Sequence, residues 1–230
     1  LPEGTVRSYA IFAHCFTCGQ SSRAATKVTA ALASQGIAML RFDFAGLGKS
    51  EGSFEETSFL TNTQDLIAAA EYLEANFEAP RLLIGHSLGG AAVLASAHAM
   101  ASVKAVATIG APADPTHVQH LFADYVDEIE ENGSAEVSLA GRVFKIGKRF
   151  LDDVKDHCQP CQIAELKRDL LILHAPDDSV VSIQNAADIY TAARHPKSFI
   201  SLTDADHLLL KKGAAEQVAD LIGAWAKRSQ

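Results

Sequence analysis

The chain has 230 residues, 48% of them apolar and 21% charged. That is the make-up of an ordinary globular protein, large enough to bury roughly 70–75% of its unfolded surface without disulfides or a structural metal. A formal charge of −8 argues against a nucleic-acid binder, which carries a clustered basic face. No stretch approaches the ~20 continuous apolar residues of a membrane helix, and no charged-then-apolar leader stands at the start. One domain over residues 1–230, located in the cytoplasm, is the expectation.

Short apolar runs alternate with helix-length segments, the pattern of a parallel sheet wrapped by crossover helices. In chain order they predict a strand at Tyr9–Ala13, a helix at Ser22–Ser34, a strand at Ala38–Phe42 and a helix at Thr61–Asn76. Next come a strand at Leu82–Ile84, an Ala-rich helix at Leu88–Met100 and a strand at Ala105–Ile109. About 60 residues then intervene before the next strand, Leu170–His174, too many for a structureless connection in a compact domain. Within them the pattern predicts a helix at Pro115–Glu131, a hairpin over Glu136–Ile146 turning near Ala140-Gly141, and a helix at Arg149–His157. These form a small cap insertion, about residues 114–165. A helix at Ile183–Ala193, a strand at Phe199–Leu202 and a helix at Ala214–Lys227 complete the series. Asp124, Asp127, Glu128, Glu130 and Glu131 crowd one stretch, with Lys145, Lys148, Arg149 and Lys155 soon after. A solvated helix face and its partner explain them.

The strongest chemical signal is Arg81-Leu82-Leu83-Ile84-Gly85-His86-Ser87-Leu88-Gly89-Gly90, an apolar strand running through G-x-S-x-G into a helix. A nucleophilic serine on a sharp turn needs small residues two places before and after it, where a side chain would strike the flanking strand or helix. Gly85 and Gly89 supply that room, so Ser87 is the candidate nucleophile.

Four cysteines form two C-x-x-C pairs, Cys15/Cys18 and Cys158/Cys161, separated by about 140 residues. Their spacing admits unpaired thiols, a redox pair or a shared metal site. The distance between the pairs favours unpaired reduced cysteines, and no metal site is expected.

With its serine elbow, the chain resembles the α/β-hydrolase superfamily, and further segments extend the likeness. Arg41-Phe42-Asp43-Phe44-Ala45-Gly46-Leu47-Gly48-Lys49-Ser50 is similar to that superfamily's D-x-x-G-x-G-x-S turn, in which Asp43 holds the turn by bonding backbone N–H groups. The resemblance implies the chain order Ser, acid, His. The loop Ala175-Pro176-Asp177-Asp178-Ser179-Val180-Val181 offers two adjacent carboxylates. In similar enzymes the acid stands two places before the first valine-like residue, which selects Asp178 over Asp177. His207, in Asp204-Ala205-Asp206-His207, has the right order and position for the base. His98, His117, His120, His157, His174 and His195 are read as helix, loop or strand-end residues.

The likeness also implies an oxyanion hole, with one donor the N–H of Leu88 and the second the N–H of Phe16 in the loop after the first strand. His14, Cys15 and His86 flank the site. With Phe122 and Tyr125 of the cap they are the candidate substrate-binding residues, and Phe144 and Phe150 are further cap aromatics. Many relatives carry His-Gly where this chain has His14-Cys15.

Ala13-His14-Cys15-Phe16-Thr17-Cys18, Ala107-Thr108-Ile109-Gly110-Ala111-Pro112 and His195-Pro196-Lys197-Ser198-Phe199 narrow the resemblance. They look like the hydrolase half of a bacterial family in which an α/β-hydrolase is often fused to an OsmC-type domain. The resemblance thereby implies ester hydrolysis through an acyl-enzyme on Ser87, without a cofactor. Acyl transfer or thioester cleavage by the same residues, and a redox or metal module on the C-x-x-C pairs, are the alternatives. The expected partners are a small-molecule ester and either a second copy of the chain or a fused OsmC-type domain, with no nucleic acid and no membrane.

Overall fold

The computed structural model describes residues 1–139 and 141–227. Its elements, in chain order, begin with β1 (Ser8–Ala13), α1 (Arg23–Ser34), β2 (Ile37–Arg41), α2 (Phe59–Asn76), β3 (Leu82–His86), α3 (Leu88–Ser96) and β4 (Ala105–Ile109). Then come α4 (Val126–Asn132), β5 (Ser134–Leu139), β6 (Arg142–Gly147), α5 (Lys148–Asp156) and α6 (Gln159–Ala164). The chain ends with β7 (Asp169–His174), α7 (Gln184–Ala192), β8 (Lys197–Ser201) and α8 (Ala214–Ala226).

Six strands pair in the order β2-β1-β3-β4-β7-β8, every pair parallel. Parallel strands need crossovers, and the crossover helices cover both faces of the sheet, which is why the central strands β3, β4 and β7 are apolar and buried almost throughout. The two-residue period then sorts each strand between two cores. Ile11, Leu83, Val106, Leu170 and Ile172 face one core with α2 and α3. Ala10, Phe12, Leu82, Ile84, Leu171 and Leu173 face the other, where Val28 and Leu32 of α1 meet Val218 and Ile222 of α8.

Helix starts obey local chemistry. Ser22 caps α1 by accepting the Ala25 N–H, and Ser58 forms a reciprocal capping box with Thr61 at the start of α2. Every residue of α3 is buried; its glycines and alanines let it lie flush on the sheet. Among the described residues no helix is long and apolar enough to cross a membrane.

The segment between β4 and β7 departs from expectation in detail. Pro115–Tyr125 is a 3₁₀ run with a non-helical break at Phe122, and only Val126–Asn132 is α-helical. Helical composition there yields to packing, because the break lets Phe122 turn fully inward. The hairpin forms as β5 against β6, pairing Ser134 with Gly147 through Leu139 with Arg142. Ala140 of the expected turn lies outside the described residues. The sequence pattern does not predict helix α6: it is six residues long, too short for a visible period. The charged residues pair partly as expected, Lys155 with Glu130 at 2.7 Å, whereas Lys145 meets Glu55 outside the insertion at 3.0 Å.

Candidate active site

Ser87, Asp178 and His207 follow the carboxyl ends of β3, β7 and β8 of the parallel sheet, the side at which ligands of open α/β sheets bind. Ser87 sits between β3 and α3 at φ 55° and ψ −127°, a left-handed position that costs a non-glycine residue about 1–3 kcal/mol. The surrounding structure holds it there. A Cβ on Gly85 would lie 2.3 Å from the Gly89 carbonyl oxygen, and one on Gly89 would lie 2.5 Å from the carbonyl oxygens of Ala13 and His14. The serine N–H is tied to the Ile109 carbonyl at 2.9 Å.

His207 stands with Nε2 3.0 Å from Ser87 Oγ and Nδ1 2.7 Å from Asp178 Oδ2. A carboxylate only accepts, so Nδ1 carries the proton and Nε2 is left as the acceptor for the serine hydroxyl. Asp178 is chosen over Asp177 by burial: Asp178 is buried, while Asp177 is exposed. The other Asp178 oxygen accepts the Val180 and Val181 N–H groups, each at 2.9 Å. Burial pushes the Asp178 carboxyl up, but the bonds from His207 and from the Val181 and Val180 amides outweigh it and hold the group below its ordinary value.

Three further histidines frame this arrangement. His86 Nε2 lies 2.6 Å from the His207 carbonyl oxygen and His174 Nε2 lies 2.8 Å from the Val181 carbonyl oxygen, so both ring nitrogens donate. His14 bonds the Cys15 carbonyl through Nδ1 and accepts the Phe44 N–H on Nε2. Burial lowers all three, His86 to about 4; they are neutral scaffolding at pH 7.

Leu88 is the first residue of α3, where the N–H has no acceptor within the helix. Phe16 sits in the loop after β1, whose preceding residues Ala13 and His14 press against Gly89. Beside them a small pocket is lined by Phe16, Phe44, Leu47, Phe54, Leu88 and Ala92, among others. Its free volume of about 10 Å³ holds no more than about one water.

Asp43 fulfils its expected role. It accepts the Gln20 N–H at 2.7 Å and the Lys49 N–H at 3.0 Å, and a Cβ on Gly48 would collide with it. Of the expected cap residues, Phe122 is buried and neighbours Phe16, their ring centres 6.3 Å apart. Tyr125 packs half-buried on the same apolar cluster.

Both C-x-x-C pairs are closed as disulfides, Cys15–Cys18 and Cys158–Cys161, which corrects the expectation of unpaired thiols. The reason is local: the intervening two-residue turns bring the Cα atoms to 5.3 and 5.4 Å, within bridging range. Among the described residues no group of three or more His, Cys, Asp or Glu is placed to hold a metal.

Several contributors to the site are residues for which the sequence suggests no role of their own. Gly110 has φ +54°, and a Cβ there would stand 3.2 Å from Asp178 Oδ2 and 3.3 Å from His207 Nδ1; this glycine leaves room for the pair. The Asp206 carboxylate accepts the Leu208, Leu210 and Lys211 N–H groups and so ties down the chain after His207. Phe54, in a 3₁₀ turn between β2 and α2, reaches the pocket from outside the expected cap. Only Asp206 leaves a sequence signal, an acidic residue before a short loop with free amides.

The chain is similar to several known proteins. The chain is 47% identical to the esterase domain of a Rhodothermus marinus protein, with a TM-score of 0.79, covering 99% of this chain and 90% of that one. It is 29% identical over 189 residues to the palmitoyl-protein thioesterase ABHD10, mitochondrial, of Mus musculus, covering 78% of this chain and 59% of that protein. The chain thus spans about three fifths of that relative. Est1E of Butyrivibrio proteoclasticus shares the fold at a TM-score of 0.80 and 18% identity, over 99% of this chain and 91% of that one. The profile of the Hydrolase_4 family, described as serine aminopeptidase, S33, matches residues 7–133, more than half of the sequence, and the chain belongs to that family of α/β hydrolases.

Proposed function

We propose that the chain is a carboxylic ester hydrolase working through an acyl-enzyme on Ser87. The observation that carries this is the His207 ring, within hydrogen-bond reach of Ser87 Oγ and Asp178 Oδ2 at once. His207 Nε2 takes the serine proton as Oγ attacks the ester carbonyl. The N–H groups of Leu88 and Phe16 receive the oxyanion, each worth about 3 kcal/mol in the transition state. The imidazolium, steadied by Asp178, gives its proton to the departing alcohol; water then repeats the sequence and releases the acid.

In this reading the segment between β4 and β7 is a cap over the pocket, and no cofactor takes part. The esterase description of the Rhodothermus marinus domain supports an oxygen ester as substrate. The thioesterase name of the murine relative favours a second reading, cleavage of acyl thioesters by the same residues. Parallel rates on p-nitrophenyl esters and acyl-thiol substrates of increasing chain length test both. Turnover to free acid, fastest on oxygen esters, is expected. Faster thioester turnover selects the second reading, and no turnover on either class contradicts both.

A further inference from the structure

We infer that the Cys15–Cys18 disulfide is a positioning element of the oxyanion hole, so that its two-electron reduction slows the acylation and deacylation chemistry without unfolding the protein. The inference rests on the ester-hydrolase reading and on Phe16 as a donor.

Phe16 and Thr17 are the two residues enclosed by the disulfide. The loop is anchored firmly on either side of them. Before it, buried His14 is bonded to the Cys15 carbonyl and to the Phe44 N–H; after it, Gln20 is bonded to Asp43 through its backbone N–H and its side-chain amide. Between these anchors the Cys18 N–H donates to the Cys15 carbonyl at 3.1 Å. The Thr17 carbonyl also accepts a hydrogen bond from Arg142 of β6 at 3.3 Å, an exposed contact. Thr17 occupies φ +59°, a conformation unfavourable for a non-glycine residue. The covalent bridge across this turn therefore decides whether the Phe16 N–H keeps its aim. The position is unlike that of Cys158–Cys161, which lies at the start of α6 and encloses no proposed donor.

A reductant has an approach. Cys15 is buried but Cys18 is only half-buried, so a thiolate attacks the Cys18 sulfur, displaces Cys15 as a thiolate and forms a mixed disulfide. The second thiol of a dithiol then releases Cys18, giving two protein thiols and one oxidised reductant. A water-soluble phosphine achieves the same cleavage: phosphorus is oxidised with oxygen from water, whose two protons end on the sulfurs. The Phe16 ring packs on Phe54 and Phe150, with ring centres 5.6 and 5.4 Å away, so the side chain stays seated while the loosened main chain samples other turns. An interaction made only in the transition state is then weakened, which lowers kcat and leaves KM in place.

The test uses the full chain carrying Cys158→Ser and Cys161→Ser, so that one disulfide remains, assayed on a fluorogenic butyrate ester with and without the phosphine. Thiol titration tracks the reduction and circular dichroism tracks the fold. The expected result is a fall in kcat of about 10-fold or more, KM constant within about twofold, an unchanged fold and recovery on reoxidation with oxidised glutathione. The Cys15→Ser/Cys18→Ser variant of the wild-type chain should match the reduced form and not respond to the phosphine. Equal kcat in the two redox forms, or a fall that tracks loss of folded protein, would overturn this inference and leave the function reading standing. An oxidised enzyme that hydrolyses no ester would overturn the function reading, and this inference with it.

Discussion

The ring of His86 donates a hydrogen bond to the backbone carbonyl of His207 at 2.6 Å, across 121 residues of sequence. The Ser87 turn and the His207 loop are thus joined by a buried bond. Replacing His86 with leucine orphans that buried carbonyl, at a cost of about 1–3 kcal/mol, and lets the base drift. His86→Leu should lower kcat about 10-fold with KM unchanged, while His86→Gln, which keeps a donor, should retain most activity. Equal losses in the two variants would show that the hydrogen bond is not what matters.

The three buried histidines also set a pH dependence of stability. Each has its folded value below the ordinary 6.5, so below that pH the unfolded chain binds more protons. Their contribution is complete above about pH 6.5 and is lost progressively as pH falls below it. For His86 alone, at about 4, this amounts to about 3 kcal/mol. Asp178, Asp43 and Asp206, held low, add losses in the same direction at still lower pH; Asp65, raised by burial, opposes them. Thermal melts should show Tm dropping from pH 7 to 4.5, with a shallower slope in His86→Gln. A Tm that is flat or rises over that range would contradict the histidine assignment.

Two neighbouring aspartates differ in what they touch. Asp178 meets His207 and two amides, and Asp177 is exposed. Asp178→Asn should cost about 10⁴-fold in kcat by upsetting the imidazole tautomer, and Asp177→Asn less than about twofold. The reverse ranking, read by steady-state kinetics on one ester, would move the role to Asp177.

Pocket and cap residues should separate by readout. Phe54 lines the small pocket, so Phe54→Ala should shift the kcat/KM ratio of long over short acyl chains by roughly 10–100-fold. Phe122 is fully buried, and Phe122→Ala should instead lower stability by about 3–5 kcal/mol. An unchanged chain-length profile in Phe54→Ala would place the acyl group elsewhere.

The sequence is legible where local chemistry dictates structure. The central strands announce themselves because burial on both faces demands continuous apolar runs, and Ser87 because its elbow demands Gly85 and Gly89. The superfamily likeness points to Asp178 and His207. The hidden features depend on contacts between distant segments. No pattern around Gly110 reveals that Asp178 and His207 will fill the space its missing Cβ leaves. Nor does the run Pro115–Tyr125 reveal that packing will break it at Phe122. The disulfides escape a reading that weighs the distance between the two pairs, because the deciding quantity is the turn within each pair.

Mass spectrometry of the protein after reaction with a fluorophosphonate probe tests whether Ser87 is the nucleophile. One adduct, mapped to Ser87, with none in Ser87→Ala and with that variant folded but unable to hydrolyse esters, is the expected result. An adduct on another residue, or full ester turnover by Ser87→Ala, would rule out Ser87 as the nucleophile.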